Sequence, residues 1–148
     1  VTWERTASAV SAAQPQAVWD VLLDGRRWSF WNPGVEWMWL EGDPQPGTLA
    51  TIKLERVRQT AFTIAEAIVP HRFALRLTVG PIARLQLTWT IAEHASGSSV
   101  EAAVAIGGAA AGFLLKRPAE RVARALPGHL ERLAMRAAEL CEKNTRLG

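Results

Sequence analysis

The segment FLLKRPAERVARALPGHLERLAMRAAELCEKNTRL, residues 113–147, decides the fold. Leu115, Ala119, Val122, Leu126, Leu130, Leu133, Ala137 and Leu140 recur at steps of three and four, which is one face of an α-helix. Arg117, Glu120, Arg121, Arg124, Glu131, Arg132, Glu139 and Glu142 fall on the opposite side. The stripe keeps its phase across Pro127. That predicts one long helix bent near Leu126-Pro127-Gly128, because proline deletes a hydrogen bond and crowds the preceding turn. Pro118 suits a first helical turn, with a looser turn over residues 110–116 before it. A helix of ~25–30 residues spans roughly 40 Å, so it needs a broad apolar partner.

The upstream chain supplies that partner. Thr2 to Val10 has the content of a first strand. Pro15 to Asp24 reads as a short amphipathic helix closed by Gly25, and Arg26 to Phe30 as a second one stopped at Asn32-Pro33-Gly34. From Val35 the period becomes two. Strands are expected over Val35 to Leu40, Leu49 to Val57, Phe62 to Ile68, Phe73 to Val79, Arg84 to Ile91 and Val100 to Ile106. The turns at Gly42-Asp43-Pro44, Pro70-His71, Gly80-Pro81 and Ser96-Gly97-Ser98 separate most of them. Such alternation describes a sheet buried on one face only, hence antiparallel, and short turns make a meander the simplest topology. A sheet with one apolar face and a helix with one apolar stripe bury each other.

The 148 residues fit one domain over 1–148. No apolar run approaches the ~18 residues of a membrane span, so no stable membrane insertion is expected. The lone Cys141 excludes an internal disulfide and offers no cysteine-based metal site; with no secretory leader in view, a reducing, cytoplasmic setting is expected. From Lys116 onward there are eight basic and four acidic residues, against nine and ten in the rest. Arg and Glu are interleaved on that helix without exposed aromatics, which argues against nucleic acid.

The stretch PQAVWDVLLD at 15–24, then RWSFWNPGV at 27–35, with Gly47 ahead of the next strand, carries a resemblance. It resembles the polyketide cyclase/dehydrase and lipid-transport family, part of the START-related (SRPBCC) superfamily that includes birch-pollen-allergen-like proteins. Gln16 stands where that family usually has an acidic residue. The resemblance implies an α+β helix-grip fold: a curved antiparallel sheet of about seven strands around a long C-terminal helix, with two short helices between strands 1 and 2. It also implies a cavity for a small hydrophobic ligand such as a lipid, polyketide or aromatic compound, no cofactor, and in some members cyclase or dehydratase activity.

The apolar positions expected to line such a space are Trp31, Met38, Ile52, Leu54, Phe62, Ile64, Phe73, Leu75, Leu77, Leu85, Leu87, Trp89, Val104, Phe113, Leu126, Leu130 and Leu133. Small residues at Ala50, Ala102, Ala119 and Ala137 either leave room there or let helix and sheet pack closely. Acid/base chemistry has three candidates. Glu66 shares the phase of Phe62 and Ile64, unless a bulge near Pro70 turns it to water; Arg56 follows Ile52 and Leu54; His129 lies at the edge of the helical stripe. His71 and His94 sit beside turns, and no spacing points to a metal. Trp37 and Trp39 share a strand face opposite Met38 and Leu40, so this pair either packs the short helices or forms an exposed patch for a homodimer, another protein partner or membrane contact.

Overall fold

The computed structural model describes residues 3–32, 34–54 and 59–147, with side chains described through residue 143. Arg56 lies outside the described residues. The order is β1 (Trp3–Ser11), α1 (Pro15–Leu23), a 3-10 helix (Gly25–Phe30), β2 (Val35–Leu40), β3 (Leu49–Leu54), β4 (Thr60–Ile68), β5 (Arg72–Val79), β6 (Ala83–His94), β7 (Gly97–Gly107), α2 (Ala111–Leu114) and α3 (Lys116–Leu147). The seven strands form one antiparallel sheet ordered β1-β7-β6-β5-β4-β3-β2. The expected meander runs from β2 to β7. The first strand then joins the last, from Trp3 opposite Ile106 to Ser11 opposite Ser98.

The fold is a helix grip. Its long helix runs unbroken through Pro127 for 32 residues. Most of its stripe is buried: Ala119, Leu130, Leu133 and Ala137 are each 0% exposed, while Val122 and Leu140 are half-buried. Burial of a large apolar side chain stabilises by about 1.5–3 kcal/mol, so this face dominates what holds α3 in place. Two buried serines fasten the layers. Ser11 Oγ donates to the carbonyl of Ala134 at 2.8 Å, and Ser98 Oγ to the carbonyl of Ala13 at 2.6 Å. At the start of the 3-10 helix a Cβ on Gly25 would collide with the carbonyl of Met38, so only glycine allows this approach to β2.

One irregularity corrects the sequence phase. In β4, Ile64 stands opposite Leu75 but Ala67, not Glu66, stands near Phe73 on the inner face, because the register shifts between Ile64 and Glu66. A bulge of one residue exchanges the two faces. The bulge therefore falls before Glu66 rather than near Pro70. Ile68, expected inward, is 53% exposed, and Glu66 pairs with Arg72 on the outer face at 2.6 Å. A second shift lies between Val35 and Trp37. Met38 is buried, whereas Trp39 is 48% exposed with the Arg26 guanidinium 5.6 Å from its ring.

Candidate functional site: a half-filled apolar cleft

Alternation along β5, β6 and β7 and their registers place Phe73, Leu75, Leu77, Leu85, Leu87, Trp89, Ala102 and Val104 on the face toward α3. Aromatic rings cover part of this face. Five rings form a connected series from α1 across the sheet to the 3-10 helix and the residue after it: Trp19 edge-on to Phe73 at 6.0 Å, Phe73 stacked on Trp89 at 5.9 Å, Trp89 edge-on to Trp28 at 5.8 Å and Trp28 tilted against Trp31 at 5.0 Å. Such contacts add about 0.5–1.5 kcal/mol per pair beyond area burial. Trp28 Nε1 donates to the carbonyl of Leu22 at 2.8 Å. Trp31 Nε1 is equally buried and has no partner among the described residues.

The expected lining residues therefore divide. Trp31, Met38, Ile52, Ile64, Phe73, Leu75, Leu85, Trp89, Val104, Leu126, Leu130 and Leu133 are each at most 4% exposed and pack against one another. The alanines pack closely rather than leaving room, since Ala50, Ala102, Ala119 and Ala137 are at most 1% exposed. Phe113 is 92% exposed on α2 and lines nothing. Leu54, Phe62, Leu77 and Leu87 remain: inward in phase, packed against the core, yet only half-buried. Phe62 and Leu77 are one step beyond the Thr63–Arg76 pair, so they are neighbours on the inner face.

One flank of α3 carries further half-buried residues. Val122, His129 and Arg136 recur every seven residues on one side of α3, and the Arg136 guanidinium lies 4.8 Å from the ring of Phe30. At Arg136 that flank lies beside Phe30 of the 3-10 helix. The other flank faces β1 through Ala134. Val122 and His129 are both half-buried. Burial, and secondarily the charge of Arg132, hold the His129 imidazole below its ordinary value of 6.5. It is neutral at neutral pH.

The remaining candidates lie elsewhere. Glu66 is on the outer face, tied to Arg72. His71 and His94 are exposed at turns, where His71 Nδ1 lies 3.0 Å from the carbonyl of Ile91 and His94 Nδ1 accepts from the Ser96 N–H at 3.1 Å. Among the described residues no three His, Cys, Asp or Glu side chains gather as a metal site, and no helix is long and apolar enough to cross a membrane. Surface depressions lie outside the cleft. One of about 280 Å³ on the outer sheet face includes Arg72, Arg84, Thr88 and Glu101. Another of about 200 Å³ lies between α1 and α3 beside Cys141, and one of about 410 Å³ between β1 and α3. Sequence periodicity could not separate the ring-covered part of the face from the rest, because Trp28 and Trp31 come from irregular segments.

An antiparallel sheet gripping a C-terminal helix, with an apolar inner face, defines a class of α+β domain. The chain belongs to the polyketide cyclase / dehydrase and lipid transport family, whose pattern matches residues 2–138. Among solved structures it is similar to Ara h 8.0201, at 12% identity and TM-score 0.67 over 93% of this chain and 98% of that one. The KanY protein is similar at 24% identity and TM-score 0.65, over 91% of this chain and 97% of that one. The di-domain ARO/CYC StfQ from the steffimycin biosynthetic pathway is similar at 12% identity and TM-score 0.70, over 94% of this chain and 52% of that one. No curated protein matches the chain by sequence.

Proposed function

We propose that residues 1–148 act as one unit that binds a small hydrophobic molecule in the open half of the cleft. One observation carries this reading. Leu54, Phe62, Leu77 and Leu87 lie on the inward phase of their strands and pack against the core, yet each keeps part of its surface in water. Apolar surface left uncovered in a recess is favourable ground for an apolar guest, at about 25 cal/mol per Å² removed from water. His129 is the polar group on the helix flank and is uncharged, so it tolerates desolvation while offering a donor and an acceptor. Family membership and the likeness to StfQ, a di-domain ARO/CYC of the steffimycin biosynthetic pathway, agree with this reading.

The test is titration of the purified chain with the apolar fluorescent probe anilinonaphthalene sulfonate. Saturable binding at one site is expected, and Leu77→Trp, which enlarges a half-buried side chain in the opening, should abolish it while leaving the thermal midpoint unchanged. Equal probe binding by the variant removes the reading.

A second reading is a cyclase- or dehydratase-type catalyst. His129 favours it, because a half-buried neutral imidazole beside an apolar recess is a competent base. Under this reading His129→Gln abolishes turnover of an aromatic polyketide substrate and leaves probe binding intact.

A further inference from the structure

Beyond β5 the inner apolar face continues onto a lip. Ile82 of the β5–β6 turn and the segment before α2 are fastened together: the Ala110 N–H donates to the Ile82 carbonyl at 2.9 Å. Gly108, at φ +103, sits so near that carbonyl that a Cβ would collide with it. The join gathers Val79, Ile82, Phe113 and Leu114 at one end of the molecule. Val79 and Leu114 are each 38% exposed, Ile82 is 45% and Phe113 is 92%. Residues 109–115, AAAGFLL, contain no polar side chain. Single exposed apolar residues are ordinary, but an almost wholly exposed phenylalanine on an apolar projection is not.

Cations follow the lip directly. Lys116 and Arg117 open α3, whose first turn carries no acidic residue, and Arg121 lies one turn on. The positive end of a helix dipole favours carboxylates, so cations at this position cost the helix stability. None of the three makes an ion pair among the described residues. Neither residues 79–92 nor residues 107–119 include an Asp or Glu. An anionic partner is the element that reconciles these charges with their position.

We infer that this lip docks the protein reversibly on an anionic lipid surface, with Phe113 and Leu114 entering the acyl boundary and Lys116, Arg117 and Arg121 meeting the headgroups. A folded protein partner would need a shaped hollow and polar contacts at its rim. The lip offers a protrusion and no polar side chain, which a fluid bilayer accommodates without a preformed hollow. Val79 is the next inward position after Leu77, so docking sets the lip side of the cleft against the bilayer. Docking itself does not depend on the cleft having a guest.

Co-sedimentation of the full chain with vesicles of phosphatidylcholine, alone or mixed with phosphatidylserine, tests this. Binding is expected on the mixed vesicles at low salt, little on the neutral ones, and less as salt rises. Phe113→Ser should weaken partitioning roughly tenfold or more. Replacing both Lys116 and Arg117 by Glu should weaken it by about fivefold or more per residue while raising the thermal midpoint, because acids suit that helix end. This opposite movement separates loss of docking from loss of fold. Absence of binding to the mixed vesicles at low salt overturns the inference, as does equal binding by Phe113→Ser. So does a concentration-dependent dimer that Phe113→Ser dissolves, since the lip would then serve a second copy of the chain.

Discussion

Two regions of the inner sheet face carry the same alternation and meet different fates. Around Phe73, Leu75 and Trp89 the sheet is covered by Trp19, Trp28 and Trp31, brought in by α1 and the segment after it, and nothing is left exposed. Around Leu54, Phe62 and Leu77 the inward side chains are just as apolar, but none joins a ring pair among the described residues and they stay half-buried. Strand pattern decides which way a side chain points. What lies above it decides whether it becomes core or recess.

The largest expected difference comes from truncating one residue in each region. Trp89→Ala should cost about 3–5 kcal/mol, since it empties the middle of the ring chain and the surrounding helices cannot collapse into the gap. Leu77→Ala should cost less, about 1–2 kcal/mol, because part of the side chain is already in water. Urea unfolding with a common slope measures both. Equal losses would mean that the open region is as well packed as the filled one.

Within the filled region, two neighbouring tryptophans give a finer contrast. Trp28→Phe leaves the buried carbonyl of Leu22 without its donor, and should cost about 1–3 kcal/mol. Trp31→Phe removes a buried N–H that has no partner among the described residues, so the lost volume is offset and the change should lie within about 1 kcal/mol of zero. A loss at Trp31 equal to that at Trp28 would show that its indole N–H is satisfied in solution.

Enlargement reverses the order of regions. Leu75→Phe, at a position 0% exposed, should cost about 1–3 kcal/mol through overpacking. Leu77→Phe has room beside it and should be close to neutral in the same unfolding measurement.

Much of the architecture was legible from periodicity alone. The stripe from Leu115 to Leu140 demanded one long helix, and the alternation from Val35 to Ile106 demanded a one-sided antiparallel sheet; both are present. The phase of Glu66 was not legible, because the bulge ahead of it changes the face without changing composition. The division of the inner face was not legible either. Trp28 and Trp31 reach it from a 3-10 helix and a loop, which impose no repeat on the sequence. The alanines pointed both ways, and close packing proved to be their use. His129 was placed correctly at the stripe edge, since helical spacing sets a flank even where it cannot say what the flank faces.

The smallest expected effect uses that histidine to read the open region directly. Burial holds the imidazole below 6.5 in the folded chain, with Arg132 adding to the shift, whereas the unfolded chain titrates near 6.5. The unfolded state therefore binds more protons between the two values, so stability rises with pH across that window. The contribution is complete above 6.5 and is lost as pH falls from there through the folded value. Thermal midpoints of the native chain and His129→Gln should converge below this window and separate above it, with the native chain gaining more on the way up. A hydrophobic guest that covers the cleft buries the imidazole further, so its presence should steepen the native curve and leave the glutamine variant unchanged. A native curve that stays parallel to the variant's across the window would place His129 in solvent, and the helix flank would no longer count as a wall of the recess.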